Sequence, residues 1–160
     1  MIARIVRMTP VLLAAAMLTL SAAVPVAFAS TEPLKPIQMF DTAAGRVVRS
    51  FDNDAQIQEM AHGWLRSAYA LSPRIKADKE CPFVFRVPLD KPAAVHVKGT
   101  SLTTHDVFLF YCRDAEHTLL VFDEQRRPYV LLFKADITPF LQKTGLAGQP
   151  GFARKPDGRS

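Results

Sequence analysis

Three apolar runs in the second half of the chain constrain its fold more than any other feature of the sequence. They cover residues 105–112, 118–123 and 128–133, and each is rich in aromatic and aliphatic side chains at both odd and even positions. Runs of this kind are typical of β-strands that are buried on both faces. The polar segments between them are short, which predicts antiparallel neighbours and therefore a β-meander at the centre of the fold.

Four shorter strands are predicted before the meander. The first two form an edge hairpin with one wet face, and the last two are separated by a turn at residues 90–92. A polar loop rich in serine and threonine is expected at residues 99–104, where it leads into the meander. The ranges of the four strands are 37–40, 46–51, 82–87 and 93–98.

Two helices are predicted as well. The first begins after an N-cap at Asn53 and carries one apolar stripe, because its apolar residues recur at spacings of three and four. The second, near residues 138–144, is capped by Asp136 or Thr138 and stops at Gly145. The stripe of the first helix consists of Ile57, Met60, Ala61, Trp64, Leu65, Ala68 and Leu71.

Together these elements predict a single α+β domain over residues 37–146. It has a mostly antiparallel sheet of six or seven strands, one long amphipathic helix and one short C-terminal helix. Residues 147–160 are rich in glycine and proline and are predicted to be a disordered tail. One long helix covers only one face of a sheet. The second apolar face of the meander must then be covered by the terminal helix, by curvature of the sheet or by another molecule.

The N-terminus has the layout of an export signal. Arg4 and Arg7 precede an apolar segment, and Ala27-Phe28-Ala29 is a small-residue cleavage motif. Residues 1–29 are therefore predicted to be a cleavable signal peptide, and residues 30–36, with two prolines, a mobile tether. This places the protein outside the cytoplasm, secreted or in the cell envelope, with no stable membrane span after cleavage. The alternative is a segment that is retained as an anchor.

The basic balance of the chain does not indicate nucleic-acid binding. Removal of Arg4 and Arg7 with the signal lowers the formal charge from +5 to +3. Much of the remainder lies in the predicted tail, which carries Arg154, Lys155 and Arg159. A nucleic-acid interface would need a clustered basic face.

The only two cysteines, Cys81 and Cys112, both lie in the predicted mature chain. In an exported protein such a pair predicts one disulfide. Closing a loop of about thirty residues would stabilise the fold by roughly 3–4 kcal/mol in the chain-entropy model. A redox or metal-binding pair is the alternative, but the spacing is neither C-x-x-C nor a zinc pattern.

The remaining polar residues predict neither a metal site nor a cofactor site. The four histidines match no local pattern of metal ligands, and the glycines form no phosphate-binding loop. Ser101, Thr103, His105 and Asp106 supply the residue types of a hydrolase in one stretch, but without G-x-S-x-G or H-E-x-x-H. No catalytic residue is predicted.

A surface for binding is the more specific expectation. His96 and His105 flank one predicted loop, and the hairpin tip at residues 123–127 offers charges to a partner. A salt-bridged turn accounts equally for the charges at that tip. The residues of this predicted binding surface are His96, His105, Asp123, Glu124, Arg126 and Arg127.

The chain also resembles small exported proteins of spore-forming Gram-positive bacteria that have no established function. The resemblance implies export and a single small domain, and it implies no active site. It is carried by residues 40–48 (FDTAAGRVV), Trp64-Leu65, residues 86–89 (RVPL) and residues 120–128 (LVFDEQRRP).

The leading hypothesis is therefore a non-catalytic, extracytoplasmic module that binds an envelope protein, a peptide or a cell-wall component. It would bind through the exposed part of its sheet and its hairpin tips, and a second copy of the chain is a further partner to consider. One alternative is a small extracytoplasmic hydrolase with an unrecognised active site. Another is a small-ligand carrier with a cavity beneath Trp64 and Met60.

Overall fold

Seven strands pair into one antiparallel sheet in the part of the chain that a computed structural model describes, residues 33–73, 81–113 and 115–152. Their order in the sheet is β2-β1-β4-β5-β6-β7-β3. The α+β class and the predicted six or seven strands are confirmed. The strands are β1 (Ile37–Asp41), β2 (Arg46–Phe51), β3 (Ala68–Leu71), β4 (Phe83–Val97), β5 (Thr100–Tyr111), β6 (Thr118–Phe122) and β7 (Pro128–Phe133), and the helices are α1 (Ala55–Arg66) and α2 (Thr138–Lys143).

The central meander is present as predicted. β5, β6 and β7 are consecutive neighbours in the sheet. Leu109 pairs with Leu119, and Leu119 pairs with Leu131, so that three completely buried leucines lie side by side across the three strands. The predicted signal peptide and residues 30–32 of the predicted tether lie outside the described residues.

β4 and β5 form one long hairpin where the sequence predicts separate strands and a loop. The hairpin turns at Lys98 and Gly99, whose φ angles of 38° and 80° are both positive, as a two-residue type I′ turn requires. β5 begins directly afterwards at Thr100, so the predicted loop at residues 99–104 is wrong beyond its first residue. Threonine is β-branched and favours strands, and here it pairs with β4.

The predicted turn at residues 90–92 is a bulge within β4. Pro88 pairs with Asp106, and Ala93 pairs with Thr104. Residues 89–92 therefore stand opposite a single residue of β5, so that β4 continues through a stretch whose proline and charged residues favour a turn.

The buried side chain of Gln58 fastens this bulge to α1. Gln58 Nε2 donates to the Pro88 carbonyl at 2.9 Å and to Asn53 Oδ1 at 2.6 Å, and its Oε1 accepts from the Asp90 N–H at 2.9 Å. Asn53 Nδ2 donates to the same carbonyl. Next to this network His62 Nε2 lies 2.9 Å from Asp90 Oδ1, and the contact lowers the pKa of the Asp90 carboxyl. Helix and bulge are therefore joined by polar contacts as well as by packing.

α1 is shorter than the sequence predicts. It has 12 residues and ends at Arg66, so the expectation of one long helix is wrong at its C-terminal end. Ala68 and Leu71, which continue the helical spacing of the apolar stripe, lie in β3 and pair with Phe133 and Leu131 of β7.

Ser67 explains where the helix ends. It is the C-cap of α1, and its hydroxyl oxygen accepts from the backbone N–H groups of Lys134 and Ala135, which follow β7. These contacts direct the chain to the edge of β7, where Ala68, Ala70 and Leu71 pair with it. Pairing with a strand distant in sequence thus prevails over the local helical period.

The N-terminus of α1 lies one residue after the predicted position. Asp54, rather than Asn53, is the N-cap, and its Oδ1 accepts from the N–H groups of Gln56 and Ile57 at 3.1 and 3.0 Å. Lys143 at the end of α2 reaches the same carboxylate at 2.7 Å. The hydrogen bond from Lys143 is the main reason why the pKa of Asp54 is lowered.

Both helices pack on one face of the sheet, which is called the inner face below. Trp64 of α1 meets Phe140 of α2 edge-on with ring centroids 5.1 Å apart, and Phe140 meets Phe85 of β4 at 5.2 Å. All three side chains are buried. They join the two helices to the sheet in a single apolar core.

α2 confirms the predicted short C-terminal helix. Its N-cap is Ile137 rather than the predicted Asp136 or Thr138, and Asp136 Oδ1 accepts from the N–H and the hydroxyl of Thr138 at the start of the helix. Gly145 follows with a φ of 66°, the left-handed conformation in which glycine commonly ends a helix.

The folded domain extends beyond the predicted boundary at Leu146. The ring of Phe152 is buried and stacks on Phe83 with centroids 4.7 Å apart. The predicted disordered tail is therefore wrong for residues 147–152, and residues 153–160 lie outside the described part. Within the described ranges, no helix is long and apolar enough to cross a bilayer.

Gln58→Ala tests the fastening of the bulge. We expect this substitution to lower the free energy of unfolding by about 1–3 kcal/mol, because it removes the hydrogen bonds that the buried Gln58 side chain makes to Pro88, Asn53 and Asp90. Gln56→Ala is the matched control on the same helix, since Gln56 is exposed, and it should change stability by less than about 0.5 kcal/mol. Urea unfolding followed by the fluorescence of Trp64, the only tryptophan, measures both. Equal stability of the two variants would contradict the expectation.

Candidate binding surface

The face of the sheet opposite the two helices also carries apolar side chains. Strand pairing places Phe40 beside Val84 and Val84 beside Phe110, and in the next row Phe108 beside Leu120. Successive residues of a strand point to opposite faces, so these side chains point away from the inner core. This surface is called the outer face below.

A buried disulfide lies on the outer face. Cys81 and Cys112 are bonded and buried, and with Phe110 they form an apolar cluster separate from the main core. Val84, Phe108 and Leu120 pack against this cluster. The predicted disulfide is confirmed, and its presence indicates an oxidising environment.

An apolar groove of about 450 Å³ crosses the outer face near β1 and β2. Phe40 and Val47 are 37% and 43% exposed, which is unusual for large apolar side chains in this protein. The lining consists of Phe40, Val47, Val84, Phe108 and Phe110, with Gln38, Thr42 and Arg86.

A second groove, of about 580 Å³, continues from Phe108 towards the turn between β6 and β7. Its base is aromatic, since Phe108 meets Phe122 edge-on at 5.7 Å. The two grooves share Phe108, and together they are called the outer groove, with an apolar end and a polar end. The polar end is lined by Thr104, His105, Asp106, Phe108, Phe122, Asp123, Glu124 and Arg126.

An ion pair marks the boundary between the two ends. Arg86 Nε donates to Asp106 Oδ1 at 2.9 Å, and Arg86 Nη1 lies 3.4 Å from Gln38 Oε1. Both charged side chains are partly exposed. The centre of the outer groove therefore offers a paired charge, with apolar surface on both sides of it.

The polar end brings together four of the six residues of the predicted binding surface, His105, Asp123, Glu124 and Arg126. His96 lies elsewhere. It pairs with Ser101 near the tip of the β4–β5 hairpin, where its Nδ1 lies 3.0 Å from the Ser101 hydroxyl. The two histidines are therefore not opposite one another.

Asp123 organises the β6–β7 turn. Its Oδ1 accepts from the N–H groups of Gln125 and Arg127, and its Oδ2 accepts from Arg127 Nε at 2.6 Å and from the Tyr129 hydroxyl at 3.2 Å. Burial raises the pKa of this carboxyl, but the hydrogen bonds and the charge of Arg127 lower it by more than burial raises it. The pKa of Asp123 therefore lies below its usual value. Asp123 and Arg127 are thus used within the turn, and Glu124 and Arg126 are the exposed charges at its tip.

The residue types of a hydrolase do not join into a triad. Ser101 contacts His96, whereas Asp106 pairs with Arg86. Among the described residues, no three of the types His, Cys, Asp and Glu are grouped so that they could hold a metal ion.

The apolar end of the outer groove is not predicted from the sequence. Phe40, Val84, Phe108 and Phe110 are its apolar lining, and the signal for them is the presence of apolar residues at both odd and even positions of the strands. That signal indicates two covered faces, but it does not show which face the helices take.

Comparison with models of protein families, with curated proteins and with solved structures finds no match to this chain.

Replacement of both cysteines by alanine measures the contribution of the disulfide. The loop spans a sequence separation of 31, and we expect the double variant to lose about 3–4 kcal/mol of unfolding free energy. A reducing agent should produce the same loss in the wild type and none in the variant. If reduction leaves the wild type as stable as before, the bond does not contribute in this way.

The β6–β7 turn should lose stability in acid. Since the folded pKa of Asp123 is below the unfolded value of about 3.9, its ionised form stabilises the fold above that pH, and this contribution disappears as the pH falls through the folded pKa. We expect Asp123→Asn to be less stable than the wild type at pH 7 and to lose less stability between pH 5 and pH 2. Urea unfolding across this range measures the difference. Asp52→Asn, which removes an exposed carboxylate, should keep the wild-type pH dependence.

Proposed function

We propose that this chain is an extracytoplasmic binding module, without catalytic activity of its own, that takes a protein or peptide partner in the outer groove. The observation that carries the proposal is the aromatic lining of that groove on the face opposite both helices. The disulfide and the predicted signal peptide support a place outside the cytoplasm.

A protein or peptide is favoured by the chemistry of the lining. Aromatic and aliphatic side chains dominate the apolar end, and partly exposed Phe40 and Val47 lose water when a partner covers them. Burial of apolar surface stabilises a complex by roughly 25 cal/mol per Å² before the costs of association are subtracted. The ion pair of Arg86 and Asp106 adds a polar point that can orient the partner.

The structure does not favour the two alternatives, a hydrolase and a small-ligand carrier. His96 and His105, which a hydrolase would use, lie in different parts of the hairpin. The ring of Trp64, under which a carrier would hold its ligand, is packed against Phe140. These arrangements favour the binding module over both alternatives.

Phe40→Glu tests the proposed site. We expect it to abolish the capture of the partner by crosslinking from the native envelope, because it places a charge in the apolar end of the groove. Tyr69→Glu is the matched control, since Tyr69 is a similarly exposed aromatic residue on β3, at the opposite edge of the sheet. The proposal is wrong if Phe40→Glu, folded as judged by circular dichroism, captures the same proteins as the wild type and Tyr69→Glu.

A further inference from the structure

β2 is an edge strand of the sheet that the described residues form. Within the described ranges it pairs only with β1. In an antiparallel pair, alternate residues direct their N–H and C=O groups away from the partner strand. One side of the β2 backbone can therefore accept a further strand.

The β2 edge is positively charged. Arg46 and Arg49 are both exposed, and neither forms an ion pair within the described part of the chain. The guanidinium of Arg49 lies over the ring of Phe51 at 5.0 Å and 3.4 Å from Gln149 Oε1, contacts that leave its charge uncompensated. The edge is complementary to a strand with negative side chains.

The same charges disfavour a second copy of this chain at the edge. Two β2 strands placed side by side would bring four arginines together, and like charges on paired strands repel. β2 is also bulged at Val48, because its register with β1 shifts between Met39 and Phe40. A flexible peptide can follow such a kink more readily than a strand fixed in a folded sheet.

The apolar end of the outer groove begins at this edge. Val47 pairs with Phe40, and both line the groove. A strand added to β2 would lie about 4.8 Å away, with alternate side chains on the outer face beside Val47. Apolar side chains at those positions would extend the apolar surface that Phe40 and Val84 begin.

From these observations we infer that the partner is an extended segment with acidic and apolar side chains, which adds to β2 as an eighth strand. Its backbone pairs with the free side of β2, its apolar side chains enter the apolar end of the outer groove, and its carboxylates meet Arg46 and Arg49. This inference rests on the proposed function, because it names the chemistry and the binding mode of the partner in that groove.

A displayed library of random ten-residue peptides, selected on the full-length protein, tests the inference. We expect the enriched peptides to alternate apolar with acidic residues. Arg46→Glu/Arg49→Glu should weaken their binding by about tenfold or more, and exchanging glutamate for lysine in the peptide should restore it. Lys91→Glu/Lys98→Glu, which makes the same change in net charge on the β4–β5 hairpin, is the control and should bind like the wild type.

Two methylated forms of the best peptide test the pairing of the backbone. N-methylation of one set of alternate amides removes the donors that face β2 and should abolish binding, whereas methylation of the other set should leave it unchanged. A merely apolar contact in the groove would tolerate both.

The outcomes distinguish failure of strand addition at β2 from failure of binding in the outer groove. If the peptides depend on Phe40 but not on the arginines or on either set of amides, the outer groove is the binding site and strand addition is wrong. If no peptide is enriched, or if the enriched peptides depend neither on Phe40 nor on the arginines, strand addition is wrong, and the proposed function then depends on the crosslinking test with Phe40→Glu.

Discussion

The packing of both helices against one face of the sheet is the interaction on which the rest of this structure depends. Trp64 and Phe140 hold α1 and α2 together over Phe85, and this arrangement completes the inner core. A sheet whose central strands are apolar on both faces then has one face left without a helix. The disulfide and the phenylalanines of β5 fill part of that face, and the outer groove is the part that remains accessible.

The elements set by local pattern could be predicted from the sequence. The meander follows from dense apolar runs with short links, and α2 follows from Pro139 in its first turn and Gly145 at its end. The disulfide follows from the count of cysteines. The elements that differ are those decided by distant partners. Nothing in residues 68–71 shows that β7 has a free edge, and nothing in residues 89–92 shows that Gln58 will bind a bulge there.

One part of the candidate site could be predicted from the sequence and the other could not. The charged tip at Glu124 and Arg126 is visible in the sequence, because a polar link between two apolar runs must lie at the surface. The apolar end is not, since Phe40, Val84 and Phe110 come from three strands that the sheet brings together through long-range pairing. Which face of the sheet remains accessible depends on the face against which the helices pack, and tertiary contacts determine that packing.

The position of β3 has a consequence for the way the chain acquires its structure. β3 follows α1 directly in sequence, yet its only strand partner in the described ranges is β7, about sixty residues later. Folds dominated by such non-local contacts close slowly, because much loop entropy must be lost before the contacts form. During synthesis the backbone of β3 has no partner strand until β7 has been made. The order of the strands therefore favours folding of the complete domain in one late step, after β7 has been synthesised.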